Sequence, residues 1–145
     1  MSLDGAYDDD NIFARILRGE LPCVKIHEDA STLAFMDAFP QTRGHALVVH
    51  KTSRARNLLD AEPEALEALI LAVQRIAQAM RAAFDPDGIV VTQFNGAPAG
   101  QSVFHLHFHI LPRWAGVGIG PHAAGARADP AELSTLAAQI AREIP

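Results

Sequence analysis

The chain carries one cysteine, Cys23, so no disulfide can form within it, which fits a reducing compartment. It also lacks any run near the roughly 20 apolar residues of a membrane span. Its N-terminal residues are acidic (Asp4, Asp8, Asp9, Asp10) and show no basic-then-apolar signal pattern. A formal charge of −5 argues against a general nucleic-acid surface, while leaving room for a local basic pocket. Apart from the row at His105–His109 there is no His-x-x-x-His, and there is no cysteine-rich metal motif, no repeat and no low-complexity tract. What these absences leave is a cytoplasmic protein of one domain, with neither membrane nor nucleic acid as partner. Its 145 residues, 49% hydrophobic and 20% charged, suffice to bury a single core.

What the chain does have is concentrated between residues 95 and 114, NGAPAGQSVFHLHFHILPRW. His105, His107 and His109 alternate with apolar residues, and on a β-strand alternate side chains share a face. Three imidazoles then line one face, and Phe104, Leu106, Phe108 and Ile110 the other. Two glycines and a proline before them predict a tight loop, to which Gln101 and Ser102 add neutral hydrogen-bonding groups. Three chemistries suit such a row. One histidine can act as a nucleophile while its neighbours orient it and handle protons. The three can instead ligate a metal, although consecutive same-face residues of one strand do not converge easily on one ion. Or they are simply exposed or satisfied side chains, a reading that the regular alternation disfavours.

Along the chain, residues 1–10 read as a loose arm and residues 11–145 as the single domain. Ile12, Phe13, Ile16 and Leu17 form one face of a short helix, capped by Asp9 or Asp10, running through Arg18 and stopped by Gly19. Residues 23–27 and 32–37 predict an antiparallel hairpin, and residues 45–51 a third strand. Asp37 closes the second strand and, on the residues alone, is a solvated turn acid. His45 reads equally as a satisfied core histidine. From Asp60 the period becomes helical, with Leu66, Leu69, Ile70, Val73, Ile76, Ala77, Met80 and Phe84 in one stripe that forms core or a dimer surface. Residues 89–94 and 103–111 are the fourth and fifth strands. Residues 114–128, which include an exposed His122, form a loop able to close over a ligand. Asp129-Pro130-Ala131-Glu132 then starts a terminal helix through Leu133, Leu136, Ala137 and Ile140. The expected fold is α+β: a five-stranded, mainly antiparallel sheet, a long helix on one face, the histidines on the other, and a C-terminal helix.

GQSVFHLHFHILPR resembles the signature of the histidine triad (HIT) family of nucleotide hydrolases and transferases, His-x-His-x-His-x-x with x hydrophobic. NIFARILRGELP and LAFMDAFPQTRGHALVVHK resemble the family's opening and middle segments, so the similarity covers residues 11–114. The resemblance implies attack at the α-phosphorus of a nucleoside phosphoramidate, ester or anhydride, with His107 as nucleophile and His105 and His109 beside it. It also implies that Ile12, Phe13, Ile16 and Phe35 line a purine pocket, that Asp37 holds the ribose hydroxyls, and that His45 braces a triad imidazole. Asn95, Gln101 and Ser102 would then stabilise phosphoryl oxygens. A homodimer is the family's usual state.

One departure matters. Many relatives carry Cys-x-x-Cys in the opening helix and a histidine after the third strand, and hold a structural zinc. The corresponding positions here are Asn11, Ala14 and Ser53, none of which supplies a thiolate or imidazole. The expected domain therefore folds without that metal and works without a cofactor. A metal-dependent hydrolase using the three histidines, or a nucleotide-binding module with little turnover, are the alternative readings.

Overall fold

In the computed structural model, which describes residues 3–121 and 125–145, three helices and five strands follow one another as α1 (Ile12–Leu17), β1 (Lys25–Glu28), β2 (Thr32–Met36), β3 (Ala46–His50), α2 (Pro63–Phe84), β4 (Gly88–Thr92), β5 (His107–Arg113) and α3 (Pro130–Ala141). The strands form one sheet in the order β1-β2-β3-β5-β4, and every neighbouring pair is antiparallel. This is the expected α+β architecture. The expected exposure of His122 concerns a position outside the described residues.

The register decides which side chains meet. Val49 pairs with His107 and Leu47 with His109, while Leu33 and Phe35 of β2 pair with the same Val49 and Leu47. Directly opposed residues share a face, so His107 and His109 lie on the face of Leu33, Phe35, Leu47 and Val49. Phe13 of α1 joins those four in a small apolar cluster. On the opposite face Ala34, Met36, Val48, Leu106, Phe108 and Ile110 pack beneath Leu69, Val73, Ile76 and Met80 of α2 and Leu133, Leu136 and Ile140 of α3.

Several boundaries differ from the expectation for local reasons. The cap of α1 is Asn11, whose side chain accepts from the Ala14 amide at 2.9 Å; the expected caps Asp9 and Asp10 face Arg54 and Arg18 instead. Strand β5 begins at His107, because the buried Gln101 amide holds the preceding segment as a loop, and it runs on through Pro112, which sits opposite Ile89 of the edge strand. Phe104 is not a core residue: it is half-buried, with the Arg56 guanidinium 4.7 Å above its ring. In α2 the buried stripe is Leu69, Val73, Ile76 and Met80, whereas Ile70 is 53% exposed. Asp129 caps α3 as expected, accepting from the Ala131 amide at 3.1 Å.

One backbone position bears directly on the histidines. Gly44 adopts φ +92°, and a Cβ there would come 2.7 Å from Cε2 of Phe84. Only glycine adopts this conformation readily, and the close approach lets the chain turn straight into His45 and β3. Gly44→Ala is expected to cost about 1–3 kcal/mol in strain, and a denaturant midpoint equal to that of the wild type would contradict this.

Candidate functional site

The site is built from segments remote in sequence that the sheet brings together. On one side of β3 and β5, a cavity of about 420 Å³ is lined by Ile12, Phe13 and Ile16 of α1, Leu21 to Val24, Phe35 to Phe39, Leu47, Ser102, Val103, His107, His109 and the C-terminal residues Arg127, Ala128, Pro130 and Leu133. Its size and mostly apolar wall suit one small organic ligand. All four residues expected at the base pocket reach it, although Ile12 is itself 53% exposed. Phe13 presents its ring edge-on to Phe35 at 5.5 Å and to His107 at 4.8 Å, so the apolar pocket and the imidazole row are contiguous.

Hydrogen bonds assign the proton on each ring, since a carbonyl oxygen can only accept. Nδ1 of His107 lies 2.6 Å from the carbonyl oxygen of His105, so Nδ1 carries the hydrogen and Nε2 keeps a lone pair. His105 is only 2% exposed. Its Nε2 donates to the carbonyl of His50 at 3.3 Å, and its Nδ1 accepts from the Tyr7 hydroxyl at 2.7 Å. Burial pushes this imidazole down to about 4; the His50 carbonyl bond works the other way, and the His50 side chain nearby lowers it further. His105 is thus neutral near pH 7. It does not line the cavity, and its nitrogens are used away from it, so contact with a bound phosphate is not its role.

His45 is fully buried and its Nδ1 accepts from the Gln41 amide at 3.1 Å, which puts its hydrogen on Nε2. That atom lies 2.9 Å from Nδ1 of His109 and 3.4 Å from Oδ2 of Asp37. His109 accepts at Nδ1, and so its hydrogen is on Nε2. The Asp37 carboxylate also takes the Phe39 amide at 2.8 Å while bordering the cavity. The donor atoms of Asp37, His45 and His109 lie within 4.8 Å of one another, the one such group among the described residues. Metal binding there would require His45 to move its hydrogen to Nδ1, against the Gln41 N–H. The donor set fits a hydrogen-bond chain better than a metal. The positions of the relatives' zinc ligands are likewise engaged otherwise: Asn11 caps α1, Ala14 is buried, and the Ser53 hydroxyl donates to Glu62 at 2.7 Å.

Two residues expected at the phosphate instead hold the loop that approaches it. Asn95 accepts from the Leu58 amide and from Gln93, each at 2.9 Å. Gln101, 4% exposed, accepts from the Gly96 amide and donates to the carbonyls of Arg56 and Val103. Neither lines the cavity; Ser102 does, and it is exposed. Tyr7, and Pro130 and Leu133 at the start of α3, were not foreseen, whereas Arg127 and Ala128 belong to the loop read as able to close over a ligand. Tyr7 sits in the segment read as a loose arm, and no local pattern marks it. Arg127 and Ala128 reach the site because the loop is tied back to the β2–β3 turn through Ala128 N–H to Ala38 O at 2.9 Å and Gly120 N–H to Gln41 O at 2.7 Å.

A nucleotide-sized apolar pocket meeting a row of buried imidazoles is the arrangement of a histidine triad protein, and known proteins match it. The HIT domain model matches residues 18–116. A Hit-like protein from Bartonella henselae, solved with an unknown ligand and described as involved in cell-cycle regulation, superposes with a TM-score of 0.90 at 46% identity, covering 96% of this chain and 99% of that one. Protein hit of Bacillus subtilis is 38% identical over 92% of this chain and 93% of its own length. The adenosine 5'-monophosphoramidase of Schizosaccharomyces pombe is 38% identical over 75% of this chain and 80% of its own. The chain belongs to the HIT family.

The depressed His105 value makes a thermodynamic prediction. Between about pH 6.5 and pH 4 the unfolded chain binds a proton at this position that the folded chain does not, so stability rises with pH through this window and is lost as pH falls. The full displacement is worth about 3 kcal/mol. Urea unfolding from pH 7 to pH 4 is expected to give a shallower pH slope for His105→Gln than for the wild type; parallel slopes would refute it.

Proposed function

We propose that this protein is a nucleotide hydrolase acting at the α-phosphorus of nucleoside 5'-phosphoramidates or dinucleoside polyphosphates, through a nucleotidyl group carried on His107. One observation carries the reading. The 2.6 Å bond from Nδ1 of His107 to the His105 carbonyl leaves the Nε2 lone pair as nucleophile on a residue of the cavity wall. The kinship to a phosphoramidase supports the same class of chemistry.

In this scheme Nε2 of His107 bonds to phosphorus as the bond to the leaving group breaks. The leaving group takes the bonding pair, a phosphate departing as the anion and an amine taking up a proton from water, which the later hydrolysis of the adduct returns. The imidazole becomes cationic as it is nucleotidylated, and the His105 carbonyl, already bonded to Nδ1–H, stabilises that charge. His109 offers Nε2–H to a phosphoryl oxygen, with Nδ1 held by His45. Water then adds to phosphorus, one proton is released, and His107 departs as the neutral imidazole. Splitting the displacement gives two smaller barriers. Phe13, Phe35, Ile12 and Ile16 would sandwich a purine, and Asp37 would accept from the ribose hydroxyls. No step calls for a metal or cofactor. The single cysteine and the absence, among the described residues, of a helix long and apolar enough to cross a membrane fit a cytoplasmic setting.

His107→Ala is expected to abolish turnover while nucleoside monophosphate binding stays within a few-fold of wild type. Rapid acid-free quenching with labelled substrate should trap an acid-labile adduct on the wild type and none on the variant. Asp37→Ala should weaken ribonucleotides more than deoxyribonucleotides, by about tenfold or more for a charged hydrogen bond. A His107→Ala protein with near-normal turnover would remove the mechanism, and equal losses for both sugars would remove Asp37 from the ribose site.

We also infer a homodimer formed through β4. This edge strand leaves Val90 39% and Val91 48% exposed, on opposite faces, beside an unpaired ladder, which is an arrangement suited to strand addition. Sedimentation is expected to show a dimer that Val91→Lys dissociates. A monomeric wild type at tens of micromolar would overturn it.

A further inference from the structure

We propose that Tyr7 is a positioning residue of the triad, clamping His105 so that its carbonyl holds the nucleophile His107. The inference rests on the catalytic reading above and adds a residue to it. His105 lies two residues ahead of β5, outside the sheet ladder, so no strand pairing orients its backbone. Its place is set by the Leu106 amide on the Ala55 carbonyl at 2.9 Å and by the two bonds of its own ring. One ring bond, to the His50 carbonyl, is long at 3.3 Å; the other, from the Tyr7 hydroxyl, is short at 2.7 Å. The His50 carbonyl can only accept, so Nε2 carries the hydrogen and the phenol donates to Nδ1; the two bonds together hold a single tautomer of His105.

Tyr7 is itself held. The Arg54 guanidinium stands 4.8 Å over its ring and is paired with Asp9 of the same arm, where the second contact is 3.2 Å. Residues 7–9 thus form a strap from the N-terminal segment across the residues after β3 to the first triad histidine. The consequence falls on catalysis and not on ligand binding, because neither Tyr7 nor His105 borders the cavity. If the His105 carbonyl swings, His107 loses both the acceptor that fixes its tautomer and the group that stabilises its nucleotidylated form. Misplacement of a nucleophile by about 1 Å can cost about 100-fold in rate.

The test is Tyr7→Phe in the full chain, which keeps the ring on Arg54 and removes only the hydroxyl. With adenosine 5'-phosphoramidate as probe, kcat is expected to fall about tenfold or more, while KM and the affinity for adenosine monophosphate stay within twofold. Side-chain ¹⁵N correlation spectra should show His105 as one Nε2–H tautomer in the wild type and as a mixture in the variant, with the His107 Nδ1–H signal perturbed as well. An unchanged kcat, or a loss confined to KM, would overturn the proposal. If the wild type hydrolyses no substrate, the catalytic reading fails by itself, and the spectra still decide: unaltered His105 and His107 signals in Tyr7→Phe would refute the clamp.

Discussion

The carbonyl oxygen of His105 is the point on which the site turns. A histidine with a free choice of tautomer presents a lone pair at either nitrogen, and only one of the two can reach a ligand in the cavity. The 2.6 Å bond removes that choice for His107. It is a backbone acceptor, so it cannot titrate away, and its partial negative charge is in place before any cation develops on the ring. The loop braced by Gln101 and Asn95, the register of β5 on β3 and the ring contacts of Phe13 all converge on keeping this pair of residues in place.

Around this bond the protein buries an unusual density of imidazole. His45, His105, His107 and His109 are all buried, none more than 6% exposed. Buried polar rings are tolerated when their nitrogens find partners, and a network so formed specifies one arrangement. Here the partners run in two chains. One passes from Tyr7 through His105 to the His50 carbonyl, and the other from the Gln41 amide through His45 to His109, with Asp37 alongside. The two chains hold the outer histidines in defined tautomers on either side of His107. The neutral state of His105 follows from its burial, which also couples the integrity of the site to pH.

The ligand pocket shows the complementary logic. Its apolar wall comes from α1, from β2 and β3, and from the start of α3, elements with no local sequence relation. They meet because α1 covers the Leu33–Phe35–Leu47–Val49 face, while Met36 and Leu133, which pack on the α2–α3 side, reach the rim of the pocket. One face of a single sheet is thus given to stability and the other to chemistry. Asp37 joins the two functions, since it borders the cavity and also faces the His45–His109 pair.

Much of this was legible in the order of residues. Alternation over residues 107–110 placed His107 and His109 on one face, because a strand's period of two is local geometry, whereas His105 lies ahead of the strand. Helical spacing announced α2, and Asp129-Pro130 announced α3, because capping and proline preferences act over one turn. Other features were decided only by folding. Phe104 keeps the period yet leaves the core, because the strand does not begin until His107. Gln101 and Asn95 look like phosphate ligands, but the Gln101 amide is taken up by backbone groups at residues 56, 96 and 103, and the Asn95 oxygen by the Leu58 amide and Gln93. Tyr7 carries no local mark at all: it reaches His105 across 98 positions of sequence. Residue type and spacing determine what a side chain can offer and which face it occupies. Which partner takes up the offer depends on distances between remote segments, and those exist only once the sheet has closed.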